Sequence, residues 1–173
     1  MKMLDLFSGL GGASQAFRSA GWKVTCVDIS LKFKPDICAD LLHNPIRKNY
    51  YDFIWCSPPC IEFSKSLLPW IKNYTNPSLK LFQASLQLIT EFKPKFWCIE
   101  NVKGAVPWFK PYIGKYNFCI NPYYFWSNVP HLKKIPFKQL PGKSKKLKRP
   151  DERSKIPMII SKQFLQSIEN YIF

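Results

Sequence analysis

The chain has 173 residues, 46% of them hydrophobic and 16% aromatic, and carries a formal net charge of +15. That is enough chain for one domain with a substantial core and too little for two. No apolar run nears the roughly 18 residues of a membrane span, and Asp5 interrupts the start before a signal peptide can form, so a soluble cytoplasmic protein with no membrane contact is expected.

The excess of positive charge predicts a polyanionic partner, against the plainer reading of a Lys-rich solvated surface. Of 26 basic residues only Arg18, Arg47, Arg149 and Arg153 are Arg. Lys neutralises phosphate as a point charge, whereas Arg makes the bidentate contacts that read guanine, so the composition favours backbone binding over base reading. The six cysteines are scattered and form no CxxC or His-Cys cluster, so no metal site is expected. Disulfides are disfavoured by the compartment.

Met3 to Phe7 predicts a short strand. Ser8-Gly9-Leu10-Gly11-Gly12 follows, then Ala13, Ala16, Phe17 and Ala20 at helical spacing, with Gly21 as a natural C-cap. Glycines in such a strand-turn-helix let the backbone approach a ligand and aim amide groups at it. Trp22 to Val27 predicts a second strand ending in Asp28, and an acid about 20 residues past a glycine turn commonly holds ribose hydroxyls. The pair predicts a nucleoside-type cofactor. Pro35 to Ala39 predicts a third strand; Asp40 at its end either accepts from an adenine amino group or serves as a cap.

Tyr51 to Trp55 predicts a fourth, buried strand. Pro58-Pro59 stops it and stiffens the turn, and Cys60 is the first side chain beyond. Ligands of open α/β sheets bind at this strand edge, so Cys60 is placed as a nucleophile; the alternative is a small buried hydrophobe. The stretch from Ser57 to Asn76, with Phe63, Leu67, Leu68, Trp70 and Tyr74, predicts a long loop acting as a lid. Asn76-Pro77 predicts a helix start, with Leu79, Phe82, Leu86 and Ile89 as its buried stripe. Lys95 to Ile99 predicts a fifth strand ending in Glu100-Asn101-Val102. Glu100 faces the same crevice as Cys60, although alone it reads as an exposed strand-end acid.

Beyond Gly104 the pattern weakens to two short strands, Asn117 to Ile120 and Tyr123 to Trp126, in a hairpin about Asn121-Pro122. Residues 131–155 form a basic loop, broken by Pro136, Pro141, Gly142 and Pro150, that includes Lys143, Lys145, Lys146, Lys148 and Arg149. Either it tracks phosphates or it is a solvated segment. Pro157 opens a last helix with Ile160, Phe164 and Ile168 spaced by four. The fold class expected is α/β with a mostly parallel, doubly wound sheet, in a single domain over residues 1–173.

Taken together, these stretches resemble the C5-cytosine methyltransferases. Asp5-Leu6-Phe7-Ser8-Gly9-Leu10-Gly11-Gly12 is similar to the family's cofactor motif, Ser57-Pro58-Pro59-Cys60 to its Pro-Cys motif, and Glu100-Asn101-Val102 to its Glu-Asn-Val motif. Arg153-Ser154-Lys155-Ile156-Pro157 resembles the last motif, which returns to the cofactor pocket.

The resemblance implies a Rossmann-like S-adenosylmethionine-dependent fold. It implies methyl transfer from S-adenosylmethionine to cytosine C5 in DNA, with Cys60 attacking C6 and Glu100 holding N3. It also implies that Phe7, Gly9, Gly11, Asp28, Ile29, Asp40 and Pro58 line the cofactor site.

The chain departs from the pattern in four places. Ile61 stands where Gln is usual, and Ser154 where Asn often stands. No Gln-x-Arg-x-Arg stretch occurs near Tyr124-Phe125-Trp126-Ser127-Asn128, leaving Lys103 as a candidate substitute. Only residues 131–155 occupy the place of a target-recognition domain, which implies little sequence specificity. RNA in place of DNA, and a remnant that binds without turnover, are the competing readings. Recognition supplied by a partner protein, or by a second copy in a homo-oligomer, is the alternative to the basic loop.

Overall fold

The computed structural model describes residues 1–43, 46–47, 49–65, 76–133, 152 and 154–172. Seven strands form one sheet: β1 (Lys2–Leu6), β2 (Lys23–Asp28), β3 (Ile37–Cys38), β4 (Phe53–Cys56), β5 (Phe96–Val102), β6 (Phe118–Ile120) and β7 (Tyr123–Ser127). Their order is β3-β2-β1-β4-β5-β7-β6. The first five in that order run parallel; β7 is antiparallel to both β5 and β6. The chain winds outward from β1 to β3, then crosses back to place β4 on β1's other side. The carboxyl ends of β1 and β4 therefore flank a switch point, where a crevice opens above an α/β sheet.

The helices are α1 (Gln15–Ser19), α2 (Ile61–Lys65), α3 (Lys80–Phe92), α4 (Val106–Ile113) and α5 (Met158–Ile172). A parallel sheet needs cover on both faces, and its central strands are apolar on both sides; every residue of β4 is buried. On one face Phe17 of α1 and Ile160, Phe164 and Ile168 of α5 pack against Phe53, Trp55 and Phe125. Phe164 lies at the centre, its ring centroid 4.8 Å from Trp55 and 5.4 Å from Phe125. On the other face Phe82, Leu88 and Phe92 of α3 and Phe109 of α4 cover Leu4, Leu6, Ile54 and Ile99.

The doubly wound sheet, the β6–β7 hairpin about Asn121-Pro122 and the stripe of α5 agree with the expectation. Several boundaries do not. Helix α3 begins at Lys80, not at Asn76-Pro77. The Ser78 amide is drawn away to Glu62 Oε2 at 2.6 Å, and the first helical acceptor is the Leu79 carbonyl, bonded by Gln83 at 2.8 Å. Its buried face is Phe82, Ser85, Leu88 and Phe92; Leu79, Leu86 and Ile89 lie on its flanks.

The third strand shrinks to Ile37–Cys38, because Asp36 turns its carboxylate onto the Cys26 amide at 2.7 Å and onto Arg18 at 3.3 Å. Within the expected lid, residues 61–65 form α2 and Phe63 is buried against Phe109, so this part is anchored core. Leu67, Leu68, Trp70 and Tyr74 lie outside the described residues. Helix α4 had no clear sequence signal.

Candidate active site

The first half of the site is the turn after β1. Phe7, Gly9 and Gly11 take positive φ values of 60°, 48° and 67°. The left-handed region is open to glycine, while for Phe7 it stores strain of the kind found at functional turns. Asp28, at the end of β2, accepts the Gly9 amide on Oδ2 and the Ser30 amide on Oδ1, each at 2.9 Å. One carboxylate thus ties the glycine turn to the next strand end and keeps spare lone pairs. Beside it Ile29, an apolar side chain, is 69% exposed. Asp40 accepts the Leu42 amide at 3.0 Å and has Oδ2 3.6 Å from His43 Nδ1, so the capping role is the one its geometry displays.

Gly12 marks a close approach. A Cβ there would sit 2.7 Å from Ile156 N and 2.8 Å from Lys155 Cγ, and closer still to Ile156 O. The segment before α5 therefore lies directly on the glycine turn. Ser161 of α5 reinforces the contact: its hydroxyl donates to the Ala13 carbonyl and accepts the Ala16 amide.

The second half is the edge of β4 and β5. The Ser57 amide donates to the Leu6 carbonyl at 3.2 Å, which carries pairing past the end of β4. Pro58 is buried, and its carbonyl accepts Asn101 Nδ2 at 2.9 Å. Cys60 follows, half-buried, with its carbonyl accepting the Ser64 amide at 2.9 Å. Burial pushes the Cys60 thiol up, and the Glu100 carboxyl pushes it further, against hydrogen bonds from Ser64 and the backbone.

Glu100 is 9% exposed, not an exposed strand-end acid. Burial raises its carboxyl to about 7, partly offset by a hydrogen bond from Ser57. The Tyr123 phenol is pushed up to about 12, first by burial and then by Glu100. Asp5, in the middle of β1, is 1% exposed and raised to about 7 by burial, and its Oδ2 has no hydrogen-bond partner among the described residues.

A thiol just past the end of β4 and a buried acid near the end of the neighbouring strand β5 thus lie close enough for the acid's charge to act on the thiol. Phe7, Gly9 and Gly11 follow β1, Asp28 and Ile29 stand at the end of β2, Pro58 follows β4, and Asp40 lies just past β3, so all are at the carboxyl edge of the sheet. Lys143, Lys145, Lys146, Lys148 and Arg149 lie outside the described residues. Lys103 is exposed in the turn directly after β5. A surface groove between Leu41–His43 and α3 contains none of the candidate residues. All six cysteines are free thiols, and no metal-binding cluster occurs among the described residues.

Sequence reasoning missed the parts played by Asn101, Ser57, Gly12 and Asp5. All four stand in stretches the sequence singles out, but the partners of Asn101, Ser57 and Gly12 lie far along the chain; Asp5 alone is conspicuous by itself, as a lone acid inside an apolar strand.

A doubly wound sheet with a glycine turn beside its switch point, a carboxylate at the end of the next strand, and a thiol and an acid at the β4–β5 edge make up a Rossmann-like fold of the methyltransferase type once the family match is added. Residues 1–108 match the family described as C-5 cytosine-specific DNA methylase, and the chain belongs to that family.

It is 30% identical over 117 residues to the type II methyltransferase M.FnuDI of Fusobacterium nucleatum, covering 61% of this chain and 33% of that one. It is 26% identical over 132 residues to the type II methyltransferase M.AquIA of Picosynechococcus, covering 63% and 51%. Among solved structures it is similar to the Dnmt2 methyltransferase of S. pombe, with a TM-score of 0.40, 21% identity and coverage of 60% and 37%. The chain spans about half or less of the length of these relatives.

Proposed function

We propose that this protein transfers a methyl group from S-adenosylmethionine to C5 of cytosine in DNA, with little sequence specificity. The reading rests above all on the pairing of Cys60 with Glu100 at the β4–β5 edge. Cytosine C5 is a poor nucleophile until a thiolate adds to C6. Addition moves an electron pair to N3, where the Glu100 proton is taken up. An acid near 7 still holds a large share of its protons at neutral pH, as this donation requires. Neutral Glu100 also relieves the repulsion that holds the Cys60 thiol up, so the two steps assist each other. S-adenosylmethionine, when bound, supplies an electrophilic methyl group. Loss of the C5 proton to a base re-forms the C5–C6 double bond and releases the thiolate, and N3 returns its proton to Glu100. The target cytosine must lie outside a base stack to meet both groups.

The positive-φ turn at Phe7 to Gly11, the Asp28 carboxylate and the exposed Ile29 suit a nucleoside cofactor: amides for its charge, an acceptor for ribose hydroxyls and an apolar face for a base. Phosphates are assigned to Lys143, Lys145, Lys146, Lys148 and Arg149. That assignment predicts a steep salt dependence of DNA binding, with a log–log slope of about −0.9 per phosphate neutralised.

The deciding experiment is trapping. With cofactor and DNA containing 5-fluorocytosine, the C5 fluorine cannot leave as a proton, so a covalent adduct persists on wild type and Cys56→Ser and is absent from Cys60→Ser. Trapping by Cys60→Ser would refute the assignment of the nucleophile. Trapping on RNA alone would move the substrate to RNA.

A further inference from the structure

Trp55 is wholly buried, and its ring is clamped edge-on against Phe164 and Phe125 at centroid distances of 4.8 and 5.9 Å. Packing therefore fixes the direction of its indole N–H, which donates to Ser57 Oγ at 2.8 Å. Indole nitrogen only donates, so the Ser57 oxygen is the acceptor. The single hydroxyl proton of Ser57 must then point elsewhere.

Its target is Glu100. Cys56 and Ile99 are register partners on the parallel strands β4 and β5, so Ser57 and Glu100 are next to each other where the strands end. The Ser57 hydroxyl is near enough to act on the Glu100 carboxyl and favours its ionised form. Hydroxyl torsions are normally free to suit their surroundings, but here the donor behind Ser57 removes that freedom.

We propose that Ser57, oriented by Trp55, is a positioning residue that occupies one oxygen of Glu100 and so turns the other toward the substrate base. The proposal rests on the reading of Glu100 as the proton donor. With the Ser57 hydroxyl donating to one carboxyl oxygen, the acid's own proton resides on the other. The relay Trp55–Ser57–Glu100 thus runs from the aromatic core under α5 to the crevice edge, and it converts ring packing into the orientation of an acid. A merely structural Ser57 would do no more than satisfy the buried indole.

The two roles separate in a titration of the Glu100 carboxyl itself. In protein carrying carbon-13 at the glutamate carboxyl, the Glu100 resonance is identified by its loss in Glu100→Gln, and its midpoint is read without cofactor or DNA. Ser57→Ala removes a hydrogen bond that favours the ionised form, so its midpoint should rise by about one pH unit. Ser57→Thr, which keeps the hydroxyl, should titrate like wild type. Should Ser57→Ala not fold, Ser57→Gly deletes the same hydroxyl and is read the same way.

An unchanged midpoint in the hydroxyl-free variant, with only a lowered Tm, would overturn the proposal. So would a Thr variant that titrates like Ala. Labelled-methyl transfer to DNA is measured alongside. If wild type transfers nothing, the proposed function fails, while the Glu100 midpoints still decide the part played by Ser57.

Discussion

Asn101 on β5 donates its side-chain amide to the carbonyl of Pro58, 2.9 Å away, and so pins the loop that carries Cys60 to the neighbouring strand. Asn101 is 1% exposed, and its own oxygen accepts the Val102 amide. Replacing it by Ala leaves the Pro58 carbonyl without its partner, at a cost of about 1 to 3 kcal/mol. Asn101→Ala should therefore melt lower, and trapping with 5-fluorocytosine DNA should slow by ten-fold or more because the thiol is no longer held in place. A variant with lowered Tm but wild-type trapping rate would show that the bond serves the fold alone.

The pH profile follows from the Cys60–Glu100 pair. The reaction needs Glu100 protonated and Cys60 ionised, yet Glu100 titrates at about 7 and the thiol above its ordinary value. Below 7 the acid is fully protonated and the thiolate fraction climbs with pH, so kcat/KM should rise with unit slope. Between the two midpoints the gain in thiolate cancels the loss of protonated acid, and the profile should be flat. The bend near 7 thus reports Glu100. Glu100→Gln should abolish the bend and lower the alkaline midpoint of Cys60 alkylation, followed by peptide mass mapping, because burial remains but the carboxylate's repulsion is gone.

Gly12 and Gly9 should respond differently to alanine. At Gly12 a methyl group collides with the backbone of Ile156, which cannot move without shifting the start of α5. Overpacking of this kind costs roughly 1 to 3 kcal/mol. At Gly9 there is open space within 4 Å, and the cost arises only from a φ of +48°, about 1 to 2 kcal/mol. Calorimetric titration of S-adenosylmethionine should find the larger loss of affinity in Gly12→Ala, since that change displaces a wall of the turn as well as straining the fold. Equal affinities for Gly12→Ala and wild type would contradict the assignment of the cofactor to this glycine turn.

Asp5 should make stability fall as pH rises. Its folded carboxyl titrates at about 7 against an ordinary 3.8, so the folded chain binds the proton more tightly than the unfolded one. The resulting stability is complete below about pH 4 and is lost as pH rises through about 7. The full span is on the order of 4 kcal/mol, at 1.36 kcal/mol for each pH unit between the two values. Asp5→Asn should flatten this dependence. Denaturant melts at pH 5 and pH 8 should show a smaller difference for the variant than for wild type; equal differences would mean that the buried carboxyl ionises at its ordinary value.

Much of this protein is legible before any coordinates. The alternation of short apolar strands with helical spacings specifies a parallel α/β sheet, because only such a sheet buries strands that are apolar on both faces. The glycine turn, Asp28, the Pro58-Pro59-Cys60 turn and the Glu100-Asn101-Val102 strand end are local chemistry, and local chemistry is written in neighbouring residues.

What the sequence could not settle is non-local. Whether Glu100 is exposed or buried depends on the strands on either side of β5, with Phe125 of β7 as its register partner, and its midpoint follows from that burial. The sequence placed the start of α3 at Asn76, but Glu62 captures the amide of Ser78, sixteen positions after it, and the helix begins only at Lys80. Gly12 looks like any turn glycine until Ile156 is seen against it. The bond from Asn101 to Pro58 joins groups 43 positions apart, and the pairing of Ser57 with Glu100 likewise arises only because β4 and β5 lie side by side. Hydrogen bonds and desolvation act through space, and the strand order alone decides which distant groups come within their range.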